Sequence, residues 1–426
     1  MTKKPFLPTT GVSYSDGGMF LEGAPLSAVA EEAGTPCYVY GAGAFERAYG
    51  EYQKAFSGLA PLICYSVKAN SNLSVLSLFA KMGAGFDVVS GGELARVEKA
   101  GGDFGKTVFS GVGKTAEEIR LAIEKGILFF NVESEGELEA INAVAMETGA
   151  KAPVSIRVNP DIDPKTHPYI STGLKKSKFG VDIREAPAMY GRAAKMEGIE
   201  IRGIDAHIGS QIFDISSFED SVERLVKLLA ELRGKGIGID YMDIGGGLGV
   251  RYGEDDRPPP HGDFAAAVEK LAGGANCKLV IEPGRSLAAN AGLLLTRVIY
   301  VKRGSGKKFI IVDAAMNDLI RPAFYGSRHE IAPVRQNAGG KTEIADIVGP
   351  VCESGDFLAT GREFPPVEAG DLLAVMSAGA YCFTMSSNYN TRPRAAEVLV
   401  RGGGFRVVRE RESFEDMIRG ETAGLG

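Results

Sequence analysis

Four short stretches carry residues able to do chemistry, and each stands where an apolar run gives way to polar residues. Lys68 ends the apolar run of PLICYSVKAN (61–70), and His207 and Ser210 fall in DAHIGSQ (205–211). Gly246 and Gly247 belong to DIGGGLGV (243–250), and Glu282, Gly284 and Arg285 to IEPGRS (281–286). A lysine amine forms a Schiff base with a carbonyl once its surroundings leave some of it neutral. Consecutive glycine amides close on an oxyanion, because no Cβ keeps it away. Each feature also has a plainer reading. Lys68 alone is a solvated surface cation, the glycines a tight turn, His207 a core histidine, and Glu282 with Arg285 a surface ion pair worth little.

The elements that must position these residues can be read from periodicity. Short apolar runs recur at 61–67, 85–90, 107–111, 128–134, 154–160, 201–210, 241–247 and 278–285. Between them lie amphipathic segments such as TAEEIRLAIEKG and SFEDSVERLVKLLAELRGKG, apolar at i, i+3, i+4 and i+7 and closed by glycine. Eight strands alternating with helices predict an α/β (β/α)8 TIM-like barrel, with a doubly wound open sheet as the alternative. The chemical residues all follow strands, and in such barrels that carboxyl rim is the active face. The loop after the seventh strand, which holds the three glycines, is a frequent phosphate site.

Past residue 290 the texture changes to strand-like runs broken by Gly, Asp and Pro, which predict a C-terminal all-β barrel or sandwich. GGMFLEGAPL (17–26) reads as a hairpin, so the N-terminal segment is expected to join that β-domain. The expected domains are a barrel over 34–285 and a β-domain of 1–33 with 286–426. GEDDRPPPHGD (253–263) reads as a charged surface excursion.

Composition bounds the function. A net charge of −6 gives no nucleic-acid footprint. The N-terminus lacks an apolar signal core, and no run is long enough to span a bilayer, so no membrane partner is expected. Five cysteines without CxxC spacing and four scattered histidines suggest neither a disulfide framework nor a metal site. A cytoplasmic location is the simplest expectation.

Together, an amine, an anion nest, a flat ring and a carboxylate match what pyridoxal phosphate requires. The aldehyde needs the amine, the phosphate needs amides, and a carboxylate beside the ring nitrogen keeps it protonated. At these motifs (YSVKAN, HIGSQ, GGGLG and EPGR, in this order) the chain resembles the alanine-racemase-type, fold type III pyridoxal phosphate decarboxylases. Within them it is most similar to the diaminopimelate decarboxylases, from about residue 35 to about 400.

The resemblance implies that Lys68 carries the cofactor and His207 stacks on its ring. It implies that Ser210 and the amides around Gly246, Gly247 and Gly284, with Arg285, hold the phosphate, and that Glu282 contacts the ring nitrogen. In VCESGDFLA (351–359) it implies that Cys352 donates a proton and Glu353 touches substrate, both in the partner subunit's site, so a homodimer with shared active sites is expected. Tyr381 would contact phosphate and substrate. The substrate implied is the amino acid meso-2,6-diaminopimelate, whose distal carboxylate wants a bidentate guanidinium. Arg285, Arg321 and Tyr325 form the expected clamp. The rivals are an ornithine, arginine or carboxynorspermidine decarboxylase, a non-catalytic cofactor-binding homologue, and a barrel aldolase using Lys68 alone.

Overall fold

A computed structural model describes residues 6–163, 177–304, 306–336 and 341–424. The chain divides into two compact units, one of Glu46–Val250 with Arg257–Leu287, the other of Met1–Phe45, Arg251–Asp256 and Ala288–Gly426.

The first unit holds eight parallel strands: Leu62–Ser66, Gly85–Val88, Thr107–Phe109, Phe129–Val132, Ala152–Asn159, Ile199–Asp205, Tyr241–Asp243 and Lys278–Ile281. Each pairs with its successor, and the last pairs with the first, so the sheet closes into the expected barrel. The strands are buried on both faces, which is why their sequences run apolar rather than alternating. Cys64, Val108, Phe129, Tyr241 and Val280 pack together as one interior cluster.

Several barrel helices begin where the sequence offers a side-chain acceptor, among them those capped by Asn72, Ser90, Thr115, Ser134 and Asp214. Thr115 and Glu118 form a reciprocal capping box at Ala116–Lys125, and Ser134 caps Glu135–Thr148. Gly126 and Gly149 end these two helices in the left-handed conformation, which costs glycine little. Each such N-cap contributes about 1 kcal/mol. Their collective role is to fix where each strand stops and hence where each rim residue emerges.

The second unit is a largely antiparallel sheet in the order Phe357–Phe364, Glu343–Val348, Lys307–Val312, Gly292–Gly304, Cys37–Gly41, Ala396–Arg401 and Gly404–Arg409. Ile331–Pro333 and Leu372–Val375 pair beside it. The N-terminal hairpin Val12–Ser15 and Gly18–Leu21 belongs to this unit, where the Met19 amide donates to the Val334 carbonyl at 2.8 Å. Leu21, Val29, Val39, Leu293, Leu295 and Met376 share its core.

One segment falls elsewhere than the sequence reading puts it. Residues 34–45, assigned to the barrel, carry the strand Cys37–Gly41 in the β-sheet, antiparallel to Gly292–Gly304 and parallel to Ala396–Arg401. CYVYG is buried along its whole length, so in sequence it looks the same as a barrel strand. The stretch 253–263 is read as a surface excursion, and Glu254 and Asp255 are exposed there; its first residues belong with Arg251 and Tyr252 to the β-unit, where the Tyr252 ring lies under the Arg321 guanidinium, 5.1 Å from centroid to Cζ.

Candidate active site

The first barrel strand ends at Ser66, and one 3-10 turn, Val67–Ala69, delivers Lys68. Its ammonium pairs with Asp87 Oδ2 at the end of the neighbouring strand; the lysine side chain is about one-third exposed and Asp87 fully buried. Strand register sets Ser66 beside Asp87. The Ser66 hydroxyl lies 2.8 Å from Asp87 Oδ2 and 2.9 Å from the Glu282 carbonyl oxygen. Burial alone would raise the Asp87 carboxyl, but the Lys68 charge and the bonds from Lys68 and Ser66 outweigh it and hold the group below its ordinary range. Lys68 is therefore anchored by a carboxylate inside the barrel mouth rather than released to solvent.

The same chain of bonds reaches the glycine turn. The Glu282 amide donates to the Gly245 carbonyl at 2.8 Å, and the Gly246 amide donates to His207 Nδ1 at 3.1 Å. Gly247 sits at φ +113°, and a Cβ there would lie 2.3 Å from the Gly209 carbonyl oxygen. A Cβ on Gly246 would lie 2.1 Å from the Glu282 carbonyl oxygen. Only glycine permits this packing. The Gly246 amide, expected to serve an anion, is thus taken by His207, whereas among the described residues the Gly247 amide donates to nothing. Ser210 Oγ accepts from Arg285 Nε and Nη2 at 3.1 and 3.0 Å, so hydroxyl and guanidinium stand together beside the turn. Gly284 accepts the Leu287 amide within the turn that follows Glu282.

His207 is held neutral. Burial, then the charges of Arg157 and Lys68, push its pKa down to about 3. With Nδ1 accepting from Gly246, its proton sits on Nε2.

Beneath the rim lies a concentration of acid that the strand register dictates. Arg157 pairs in register with Asp205, and Asp205 with Asp243. Asp205, Asp243 and Glu282 each bring a carboxyl oxygen within 4.8 Å of the others, all buried. Arg157 answers part of this charge, 2.8 Å from Glu133 and 3.9 Å from Asp205. Asn131 and Ser110 donate to Glu282 Oε1 at 3.3 and 3.4 Å. Burial, then the neighbouring Asp243, Asp87 and Asp205, raise Glu282 well above its ordinary value. Burial likewise raises Asp243 to about 6, with the Gly245 amide, 2.9 Å from Oδ1, easing part of the cost. Carboxyls this close remain buried together by sharing protons.

The other expected residues lie in the β-unit. Arg321 opens the short helix Arg321–Tyr325 and is 5% exposed, with its Cζ 5.7 Å from the Tyr325 ring. Arg285 and Arg321, expected in one clamp, thus sit in different units, and Arg285 is bound to Ser210. Cys352 and Glu353 are exposed on a turn held by the buried Asp356, which accepts the Met316 and Val351 amides at 2.7 Å each. Asn390 Oδ1 accepts the Cys352 amide at 2.8 Å. Tyr381 is half-buried at φ +55°, a strained setting for a side-chain-bearing residue next to the close approach of Gly379 to Ala288.

Asp87, Asp205 and Asp243 were not anticipated as site residues, nor was Glu93, which burial pushes up to about 7 within reach of the Lys68 charge. The available signal was an acid inside an otherwise apolar strand, in GFDVV, GIDAH and YMDIG.

Fold and site together define an enzyme that holds an aldehyde cofactor with a phosphate at the mouth of a closed parallel barrel. The pyridoxal-binding domain of the pyridoxal-dependent decarboxylases matches residues 42–289. A diaminopimelate decarboxylase of Pseudomonas aeruginosa is 55% identical over 96% of this chain and 98% of its own. That of Aquifex aeolicus is 51% identical over 96% of each. The crystal structure of diaminopimelate decarboxylase from M. jannaschii in complex with L-lysine superposes with a TM-score of 0.93 at 39% identity, covering 98% of this chain and 99% of that one. The chain belongs to the pyridoxal-dependent decarboxylase family, and pyridoxal phosphate is its cofactor. The residues present fit that group. An anchored amine, an uncommitted Gly247 amide beside Ser210 and Arg285, a neutral imidazole and a proton-bearing carboxyl supply what aldehyde, phosphate, ring and ring nitrogen need.

Proposed function

We propose that this chain decarboxylates meso-2,6-diaminopimelate to L-lysine and CO2, the last step of lysine biosynthesis. The observation that carries the reading is the Lys68 amine at the carboxyl end of the barrel, tied through Asp87 and Ser66 to Glu282 and the glycine turn. The substrate follows from the near full-length likeness to diaminopimelate decarboxylases and from the buried Arg321 guanidinium, which suits a distal carboxylate better than a distal ammonium.

When bound, pyridoxal phosphate supplies an electron-accepting ring that takes up the electron pair released as CO2 departs. Lys68 would hold the aldehyde carbon of the bound cofactor. Ser210, Arg285 and the Gly247 amide bind the phosphate, and Glu282 holds a proton toward the ring nitrogen. Neutral His207 would hold the ring without adding a charge that competes for its electrons. Arg321 and Tyr325 bind the distal carboxylate, and Glu353 and Tyr381 orient the reacting end. Fixing the far end decides which carboxylate stands ready to leave. Cys352 Sγ delivers the proton that replaces the lost carboxylate.

Cys352 and Glu353 are assigned to the partner's site, so the working species is a homodimer. Their exposure, with that of Phe324 and Tyr389 in the same unit, supports this. No helix among the described residues is long and apolar enough to cross a membrane. All five cysteines are free, as a reducing cytoplasm would leave them. The test is CO2 release from meso-diaminopimelate, ornithine and arginine in parallel. Turnover of diaminopimelate alone is expected, and a preference for ornithine overturns the assignment.

A further inference from the structure

The side chain behind Arg321 has no assigned role. His329 is fully buried, and its Nδ1 lies 2.8 Å from the Met376 carbonyl oxygen. A carbonyl only accepts, so Nδ1 carries the proton and Nε2 a lone pair. That lone pair receives Arg321 Nε–H at 3.3 Å. Ser327 Oγ accepts from Arg321 Nη2, also at 3.3 Å. The guanidinium Cζ stands 5.1 Å from the Tyr252 ring and 5.7 Å from that of Tyr325, and Tyr252 meets the His329 ring edge-on at 5.2 Å. The histidine is itself fixed, since its own carbonyl accepts from Arg362 and the next residue's carbonyl from the Met376 amide.

A guanidinium presents a carboxylate with two faces, a side-on pair that uses Nε and an end-on pair that uses one N–H from each Nη. His329 occupies Nε, which blocks the side-on face. Among the described residues, one N–H on each Nη is left for the end-on face. We propose that His329 is a positioning residue that holds Arg321 so that only its end-on face meets the substrate's distal carboxylate, and that recognition of a substrate ending in an amino-acid group depends on it. This rests on the reading of Arg321 as the distal clamp and extends it to the residue that orients the clamp. A protonated His329 would set N–H against N–H, so the tether works only with the neutral ring.

The test compares His329→Ala, His329→Gln and Ser327→Ala holoenzymes on meso-diaminopimelate, with L-lysine and 1,5-diaminopentane as inhibitors. His329→Ala is expected to raise KM about tenfold with little change in kcat, the loss expected when a hydrogen bond to a charged group is removed from binding. The inhibition constant of L-lysine, which retains an amino-acid group, should rise in parallel. That of 1,5-diaminopentane, which has no carboxylate, should not. Gln places an amide oxygen near the Nε2 position and should restore KM to within about threefold of the parent. Ser327→Ala, a small change near the surface, should raise KM about threefold and keeps the test decisive if His329→Ala does not fold. An unchanged KM in His329→Ala, an equal rise with Gln and Ala, or a parallel loss of 1,5-diaminopentane binding overturns the proposal. An unchanged KM in Arg321→Ala removes instead the substrate reading beneath it.

Discussion

Asp243 makes the cost of the buried acids measurable. Its carboxyl is raised from 3.8 to about 6, chiefly by burial and then by Asp87. The groups around it are Asp205, Glu282, Asp87, Asn131 and the Gly245 amide. Because the folded value lies above the unfolded one, the folded state binds the extra proton. Its stabilising contribution is complete below about pH 4 and is lost as pH rises to about 6. The gap corresponds to about 3 kcal/mol. Asp243→Asn keeps an oxygen for the Gly245 amide and puts a permanent donor where a shared proton is otherwise needed. In urea unfolding of the cofactor-free protein, the variant should match the parent near pH 4. It should exceed the parent by up to about 3 kcal/mol at pH 8, with an unchanged m-value. A variant no more stable than the parent at pH 8 refutes the claim that these carboxyls compete for protons.

Other perturbations have equally direct outcomes. Lys68→Ala should abolish the borohydride-trapped cofactor and lower kcat by at least about a thousandfold, read by absorbance and CO2 release. Gly247→Ala, which sets a Cβ 2.3 Å from a carbonyl at φ +113°, should weaken cofactor binding at least about tenfold in equilibrium dialysis while the barrel remains folded by circular dichroism. Lys114 is buried 2.5 Å from Glu137, so Lys114→Ala strands a buried carboxylate and should cost about 3–5 kcal/mol in urea unfolding. Cys352→Ala should keep cofactor absorbance and lose most turnover. Mixing it with Lys68→Ala should restore part of the activity through hybrid dimers, and no recovery would count against a shared site.

The barrel was legible because its strands are short apolar runs and most of its helices are amphipathic and capped, so period and punctuation agree. All eight strands fall where those runs lie. The residues that follow strands were legible for the same reason, since Lys68, His207 and Glu282 break an apolar pattern at its end. Asp87, Asp205 and Asp243 were not, because their significance lies in lateral register, which pairs Ser66 with Asp87 and Asp205 with Asp243 across stretches of chain that no local pattern connects. The strand Cys37–Gly41 escaped for a related reason: a centrally placed strand reads alike in either sheet, and only its partners decide. His329 gave no sign at all in sequence, since a lone histidine in a loop becomes meaningful only once Met376 and Arg321 are seen on its two nitrogens.

The placement of Cys37–Gly41 also governs how the molecule is made. A ribosome releases this segment early, yet its two neighbours in the sheet begin at Gly292 and Ala396. Most of the polypeptide, including every barrel strand, must emerge before the vacant edges can be filled. A chain stalled short of residue 396 would therefore carry an apolar ribbon with one side open, a ready template for clumping. Rearranged genes that begin after the barrel and bring 37–41 beside its neighbours in synthesis should shorten that exposure.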